Sequence, residues 1–258
     1  MIKEFEIIKC TVDNTFETID KVVTEVPLTI VINNIEYITI MCTPLYMEEL
    51  AIGFLFNEGI LKSKEDIKNM KLVRDENIIF YIDLKENINY SILDKNRVIT
   101  SGSKGSLYFK SMDFMKEKKF DNNIKIHKNE IMNTMKEFFN KSKIFEETGG
   151  VHSVLLKSKE IEVFREDIGR HNAIDKAIGY LILNNLNVRD FIIYVSGRLS
   201  SEMVSKISKS GICFAISRAC PTSLSLNLAR NMNMTLIGFS RGNRFNVYSG
   251  SERIDFND

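Results

Sequence analysis

The apolar positions of this chain change rhythm about half-way along. In the first part they alternate or run in short blocks that suit strands. EFEIIKC (residues 4–10) reads as a short strand, and PLTIVINNIEYITIMC splits into two strands around Asn33 and Asn34. Asparagine tolerates the left-handed backbone that a tight hairpin turn requires. MEELAIGFLFNEG then spaces Leu50, Ala51, Phe54 and Leu55 as a helix does, with Glu48 and Glu49 suited to its first turn and Gly59 to its end. KLVRDENIIFYIDL reads as a further hairpin. SMDFMKEKKFDNNIKIHKNE is charged and poorly periodic, which suits a helix and linker. IMNTMKEFFNKSKIF returns to helical spacing at Ile131, Met135, Phe138 and Phe139.

From Thr148 onward strands and helices alternate. VHSVLLK and IEVFRE flank a turn at Ser158 and Lys159, and NAIDKAIGYLIL puts Ile174, Ala177, Ile178 and Leu181 on one helical face. FIIYVS, ICFAIS, TLIGFS and RFNVYS read as strands. SEMVSKISKS reads as a helix stopped by Gly211, and Pro221 as the opening of another through PTSLSLNLARNM. The fold class is α/β, α+β overall. A strand-rich domain is expected over residues 1–125 and a layered α/β domain over 126–258, its ligands at the loops that follow the strands.

Composition narrows the partners. The 258 residues are 44% hydrophobic and 27% charged, with net charge +1. No overall field calls for nucleic acid or an anionic membrane. Four scattered cysteines without CxxC spacing, no signal-peptide pattern and no long apolar run lead to the expectation of a cytoplasmic protein. The basic residues are unevenly placed: nineteen Lys and two Arg precede residue 151, whereas five Lys and nine Arg follow it. Arginine's planar fork grips phosphate or carboxylate, so this asymmetry suits an anion site in the second half; drift in composition is the plainer account.

Two segments carry candidate chemistry. REDIGRHNAIDK ends a strand in charge, turns at Gly169 and presents Arg170 and His171 as a helix begins. His171 is open to three roles: base, phosphate donor or helix-start residue. GFSRGNRFNVYSG joins two strands through Arg241, Gly242, Asn243 and Arg244, two arginines three apart that can frame a phosphate or an electron-rich ring. TGGVH and VSGR add His152 and Arg198 at strand ends, so one polyanion pocket built from four segments is expected. No HxE…PCxxC pattern or other ligand spacing points to zinc. Cys220, before Pro221, is either a thiol activated by a helix N-terminus or a small core residue. ITSGSKGSLYF (residues 99–109) is a third segment. It reads as a phosphate loop, a plain turn, or a reactive loop without its nucleophile.

EVPLTIVIN, TPLYMEELAIGFLFNEGI, TGGVH, REDIGRHNAIDK, VSGR, PTSLSLNLA and IGFSRGNRFNVYSG, in this order, closely resemble the FdhD family of formate dehydrogenase accessory sulfurtransferases, or sulfur carriers. The resemblance spans about residues 25–250. It implies sulfur taken from a cysteine desulfurase, held as a persulfide on a loop cysteine and passed to the bis(molybdopterin guanine dinucleotide) molybdenum cofactor before that cofactor enters formate dehydrogenase. It further implies a homodimer and a C-terminal domain of cytidine deaminase-like fold without zinc. Phe239, Ser240, Arg241, Gly242, Asn243 and Arg244 would by this resemblance bind the guanine nucleotide part, where a free guanine nucleotide could also sit, and Arg170 and His171 are expected to help hold the cofactor.

The resemblance breaks at one position. The family's reactive loop reads SGC or CxxC, where this chain has Ser101-Gly102-Ser103. A thiol ionises near pH ~8.5 and forms persulfides, whereas a serine hydroxyl does neither. Three accounts of Ser103 stand open: an introduced Cys→Ser change, a member that delivers cofactor without sulfurating it, or Cys220 in the carrier role. The function classes that follow are a sulfurtransferase, a non-catalytic cofactor chaperone and a nucleotide-binding regulatory module.

Overall fold

A computed structural model describes residues 1–85, 97–99, 119–121 and 124–257. The SGS segment at 101–103, and with it Ser103, lies outside the described residues, as does most of the expected linker.

The chain begins with a ribbon of two antiparallel strands, β1 (Ile2–Cys10) and β2 (Thr15–Val23). A five-stranded sheet follows, ordered β5-β6-β3-β4-β7, from β3 (Val26–Ile32), β4 (Ile35–Cys42), β5 (Ile67–Arg74), β6 (Ile78–Leu84) and β7 (Arg97–Ile99). Asn33 and Asn34 turn β3 into β4 with φ of 47° and 66°, as their tolerance of that region suggests. Helix α1 (Met47–Asn57) lies on this sheet, packing Met47, Leu50 and Leu55 with Leu28, Ile40 and Phe80.

The second sheet has six strands in the order β10-β9-β11-β12-β13-β14. They are β9 (His152–Lys157), β10 (Glu162–Asp167), β11 (Ile192–Val195), β12 (Phe214–Ser217), β13 (Thr235–Arg241) and β14 (Arg244–Ser249). A further short strand, β8 (Ile126–His127), pairs in parallel with β15 (Ile254–Asp255). The central strands β11, β12 and β13 run parallel and are buried on both faces. Ile193, Ala215 and Leu236 face α4 (Arg170–Leu183), α5 (Ser201–Ser210) and α6 (Ser223–Asn231); Tyr194, Ile216 and Ile237 face α2 (Lys128–Asn140). The short helix α3 (Lys143–Thr148) leads into β9.

Helices α1 and α4 cross at closer range than side chains allow. A Cβ on Gly53 would fall 1.8 Å from the Asp175 carbonyl oxygen, and one on Gly179 would fall 1.9 Å from that of Glu49. Hydrogen on both Cα atoms is therefore a condition of the contact. Helix α4 is thus sandwiched between its own sheet and α1, which explains why it is buried on nearly every side.

Pro221 does not open a helix. Helix α6 starts at Ser223, after a reciprocal cap between Thr222 and Ser225, and Pro221 instead bridges to Leu199. Cys220 therefore stands ahead of the cap rather than on a helix N-terminus, which removes the dipole argument for an activated thiol. No helix among the described residues is long and apolar enough to cross a membrane.

Candidate functional site

Strand direction alone decides which loops meet. Strands β11, β12 and β13 end at Val195, Ser217 and Arg241, and their parallel pairing puts these ends on one edge of the sheet. Antiparallel pairing brings the start of β9 (His152) and the end of β10 (Asp167) to that same edge, and Arg241 pairs with Arg244 at the start of β14. TGGVH, REDIGRH, VSGR and FSRGNR thus converge, with Ser217-Arg218-Ala219-Cys220 between them. The sequence pointed to the first four; of the fifth it singled out Cys220 alone.

Short hydrogen bonds tie these loops together. Ser196 Oγ accepts from Ser153 N at 2.9 Å and lies 3.3 Å from His152 Nδ1. Ser217 Oγ donates to the Gly197 carbonyl at 2.7 Å and accepts from Ala219 N at 2.9 Å. Arg241 Nε donates to the Arg218 carbonyl at 3.1 Å. Gly197 backs onto the cluster: a Cβ there would stand 3.5 Å from Arg170 Cβ and from His152 Nδ1.

One residue at this edge is strained, and two carry polar side-chain atoms that are unsatisfied among the described residues. Phe239 holds a left-handed backbone, φ 52°, at the bulge between β13 and β14, a conformation that costs an aromatic residue about 1–3 kcal/mol. Ser240 Oγ is buried with no hydrogen-bond partner. His171 is only 2% exposed, and neither ring nitrogen has a hydrogen-bond partner. Its Nε2 stands 3.6 Å from Glu202 Oε2, too far for a hydrogen bond. Buried polar atoms are nearly always partnered; Asn57 Oδ1, Tyr194 Oη and Ser249 Oγ elsewhere also lack a partner among the described residues, so it is the combination of two orphans with several arginines that sets this edge apart. Arg241, Asn243 and Arg244 are exposed around the Gly242 turn, as is Arg198, and Arg170 is half-buried.

Three basic groups lie near His171, opposed by the Glu202 carboxylate. Burial first, then Lys206, Arg170 and His152, push its pKa down to about 3; burial and then Arg170 lower that of His152. Folded His171 therefore stays neutral while the unfolded chain takes up a proton near pH ~6.5. Its contribution to stability is complete above that value and is lost as pH falls toward 3, at up to about 1.4 kcal/mol per pH unit. We expect His171→Gln to flatten the decline between pH 6.5 and 4 in urea unfolding; an unchanged slope would mean that the ring titrates normally.

Much of REDIGRHNAIDK has another task. Asp167 and Lys176 form a fully buried pair at 2.6 Å. Asp167 accepts from Thr43 N and Oγ1, Gly169 N and Asn172 Nδ2, while Lys176 donates to Thr43 Oγ1 at 2.7 Å. Asp175 joins Lys206 and Asn57, and Arg165 forks onto Glu49 between the rings of Tyr46 and Tyr180. These groups fasten the two sheets together, which leaves Arg170 and His171 as the part of the segment turned to the edge. Sequence reading missed Ser196, Glu202 and Lys206. VSGR held a signal for the first, and nothing marked the two mid-helix residues.

A large cavity of about 940 Å³ opens at the opposite edge, near Lys157, Asp190 and Tyr194, and is separate from these loops. No cluster of three or more His, Cys, Asp or Glu among the described residues could hold a metal ion.

The FdhD/NarQ family model matches residues 23–255. This chain belongs to the FdhD/NarQ family. Among its relatives, the sulfur carrier protein FdhD of Bacillus subtilis is 39% identical over 239 residues, covering 91% of this chain and 90% of the relative. The protein of the same name from Listeria monocytogenes is 40% identical over 248 residues, covering 93% and 94%. A solved structure from Desulfotalea psychrophila, named as a candidate formate dehydrogenase accessory protein, superposes with a TM-score of 0.80 at 27% identity, covering 98% of this chain and 99% of its own. The mixed α/β architecture and the sulfur carrier, formate dehydrogenase accessory character of the family therefore stand on both sequence and fold.

Proposed function

We propose that this chain is a formate dehydrogenase maturation factor whose substrate is the bis(molybdopterin guanine dinucleotide) molybdenum cofactor. Sulfur from a cysteine desulfurase would be carried on a thiol at the loop position where this chain has Ser103, so loading requires a cysteine restored there, and the sulfurated cofactor would then pass to formate dehydrogenase. The observation that carries this reading is the sheet edge itself. Orphaned His171 and Ser240 stand there with Arg170, Arg241 and Arg244, in a chain of a sulfur carrier family. A dinucleotide offers two kinds of complement: phosphates for the arginine forks, and ring edges for the unpartnered polar atoms. Phe239 to Arg244 would hold the guanine nucleotide part, and a free guanine nucleotide competes for the same place. The reading also takes residues 126–258 as a deaminase-like domain without zinc, preceded by a strand-rich domain of residues 1–125, and the whole as a cytoplasmic homodimer.

Ser103 favours a second reading, a chaperone that binds and delivers cofactor without chemistry. Intact-mass measurement after incubation with a cysteine desulfurase and cysteine separates the two. Under the first reading Ser103→Cys gains one sulfur that dithiothreitol removes, while the chain with Ser103 gains none. If neither protein gains sulfur, the chaperone reading stands. Sulfur on the chain with Ser103 would move the carrier role to another cysteine, Cys220 first.

A further inference from the structure

The family match begins at residue 23, so the ribbon of β1 and most of β2 lies outside it. It is nevertheless a regular piece of structure, nine residues paired with nine from Ile2↔Val23 to Cys10↔Thr15. The structure from Desulfotalea psychrophila covers 98% of this chain, more than could be matched if the ribbon had no counterpart there. Among the described residues the ribbon joins no other sheet. It exposes half of Phe5 and more than 60% of Ile8 and Ile19. A lone two-stranded hairpin is marginal in water, and one that bares apolar side chains along both strands is built to be covered.

Its root is held on one side. Lys21 pairs with Glu147 at 2.6 Å, and a Cβ on Gly150 would stand 2.6 Å from Val23 Cγ1. Residues 21 and 23 point to the same face of β2 as Glu17 and Ile19, and among the described residues no strand pairs with the outer edge of β2.

The sequence of that edge says what fits it. Phe16-Glu17-Thr18-Ile19-Asp20-Lys21-Val22 is complementary to itself when reversed about Ile19. Antiparallel pairing of two copies across a two-fold axis at Ile19 sets Phe16 against Val22, Glu17 against Lys21, whose ammonium it would share with Glu147, Thr18 against Asp20 and Ile19 against Ile19. Every pair is apolar with apolar, acid with base, or polar with polar. Inside its own ribbon Glu17 faces Ile8, with no opposite charge among the described residues. Strand β1 matches itself less well. Centred on Glu6 it sets Lys3 against Lys9 and Glu6 against Glu6, and centred between Glu6 and Ile7 it sets Glu6 against Ile7.

We propose that β2 is a self-pairing edge: two copies of this chain join their ribbons across a two-fold axis at Ile19 into one four-stranded sheet, β1-β2-β2-β1. The contact is isologous, and it closes an edge that would otherwise template uncontrolled pairing. It names the interface of the homodimer proposed above, and its failure is read from sedimentation alone, independently of sulfur loading.

Because the axis passes through Ile19, that residue meets itself, and this gives the test. By analytical ultracentrifugation the unaltered chain should sediment as a dimer. Ile19→Lys and Ile19→Glu should each raise the dimer dissociation constant by about tenfold or more. An equal mixture of the two should restore a dimer containing one of each. Circular dichroism melts matching the parent chain confirm that both variants are folded. In a Cys10→Ser background, Ile19→Cys should form an intermolecular disulfide on oxidation, since facing Cα atoms in an antiparallel pair stand about 4.5–5.5 Å apart. A monomeric parent chain overturns the proposal. Two charged variants that dimerise as the parent does place the interface elsewhere. A mixture that stays monomeric, or the absence of the disulfide, rules out the axis at Ile19.

Discussion

Gly53→Ala and Gly179→Ala should each lower the free energy of unfolding in urea by about 3 kcal/mol or more. Helix propensity alone gives the opposite sign, since glycine inside a helix is worse than alanine by about 0.5–1 kcal/mol. Contact decides the matter. The added carbons would lie 1.8 Å from the Asp175 carbonyl oxygen and 1.9 Å from that of Glu49, and both obstacles are helical backbone that cannot rotate away. The helices would have to part by more than an ångström, and the Asp175–Lys206 and Asp175–Asn57 contacts beside the crossing would open with them. A stabilised alanine variant would mean that the two helices meet elsewhere.

The second large effect is at the Asp167–Lys176 pair, which is shielded completely from water. Lys176→Met should cost about 3–5 kcal/mol, because it leaves a carboxylate in the interior without its counter-charge. Asp167→Asn should cost a similar amount by stranding the ammonium. The double variant should lose much less than the sum, since neither charge is then uncompensated. A double-mutant cycle in urea measures this coupling. Additive losses would show that the hydrogen bonds from Thr43, Gly169 and Asn172, rather than the pair, hold the junction.

What the sequence disclosed follows from how local each signal is. Asn33-Asn34, the stop at Gly211 and the alternation after Thr148 are set by near neighbours, and all three appear in the structure. The convergence of TGGVH, REDIGRH, VSGR and FSRGNR was also legible, because parallel strands place their ends together whatever the details. Three things were not. The role of Asp167, Asn172 and Lys176 depends on partners such as Thr43, more than a hundred residues away, so a charged cluster looked more like a site than a clasp. Pro221 looked like a helix opener because its bridge to Leu199, 22 residues earlier, leaves no local trace in the sequence. Strand β2 alternates too irregularly for a period-two reading, and its apolar residues face no core.

The crossing of α1 over α4 bears on how the chain is made. Helix α1 is apolar on nearly every side, and only one of those sides is covered by its own sheet. The other waits for α4, which begins at Arg170, about 113 residues after α1 ends at Asn57. At a synthesis rate of about 5–20 residues per second, the glycine-lined side of α1 stays bare on the ribosome for roughly 6–23 s. A chain truncated before residue 170 should therefore aggregate rather than persist as a folded unit, which size-exclusion chromatography of the truncated chain would check.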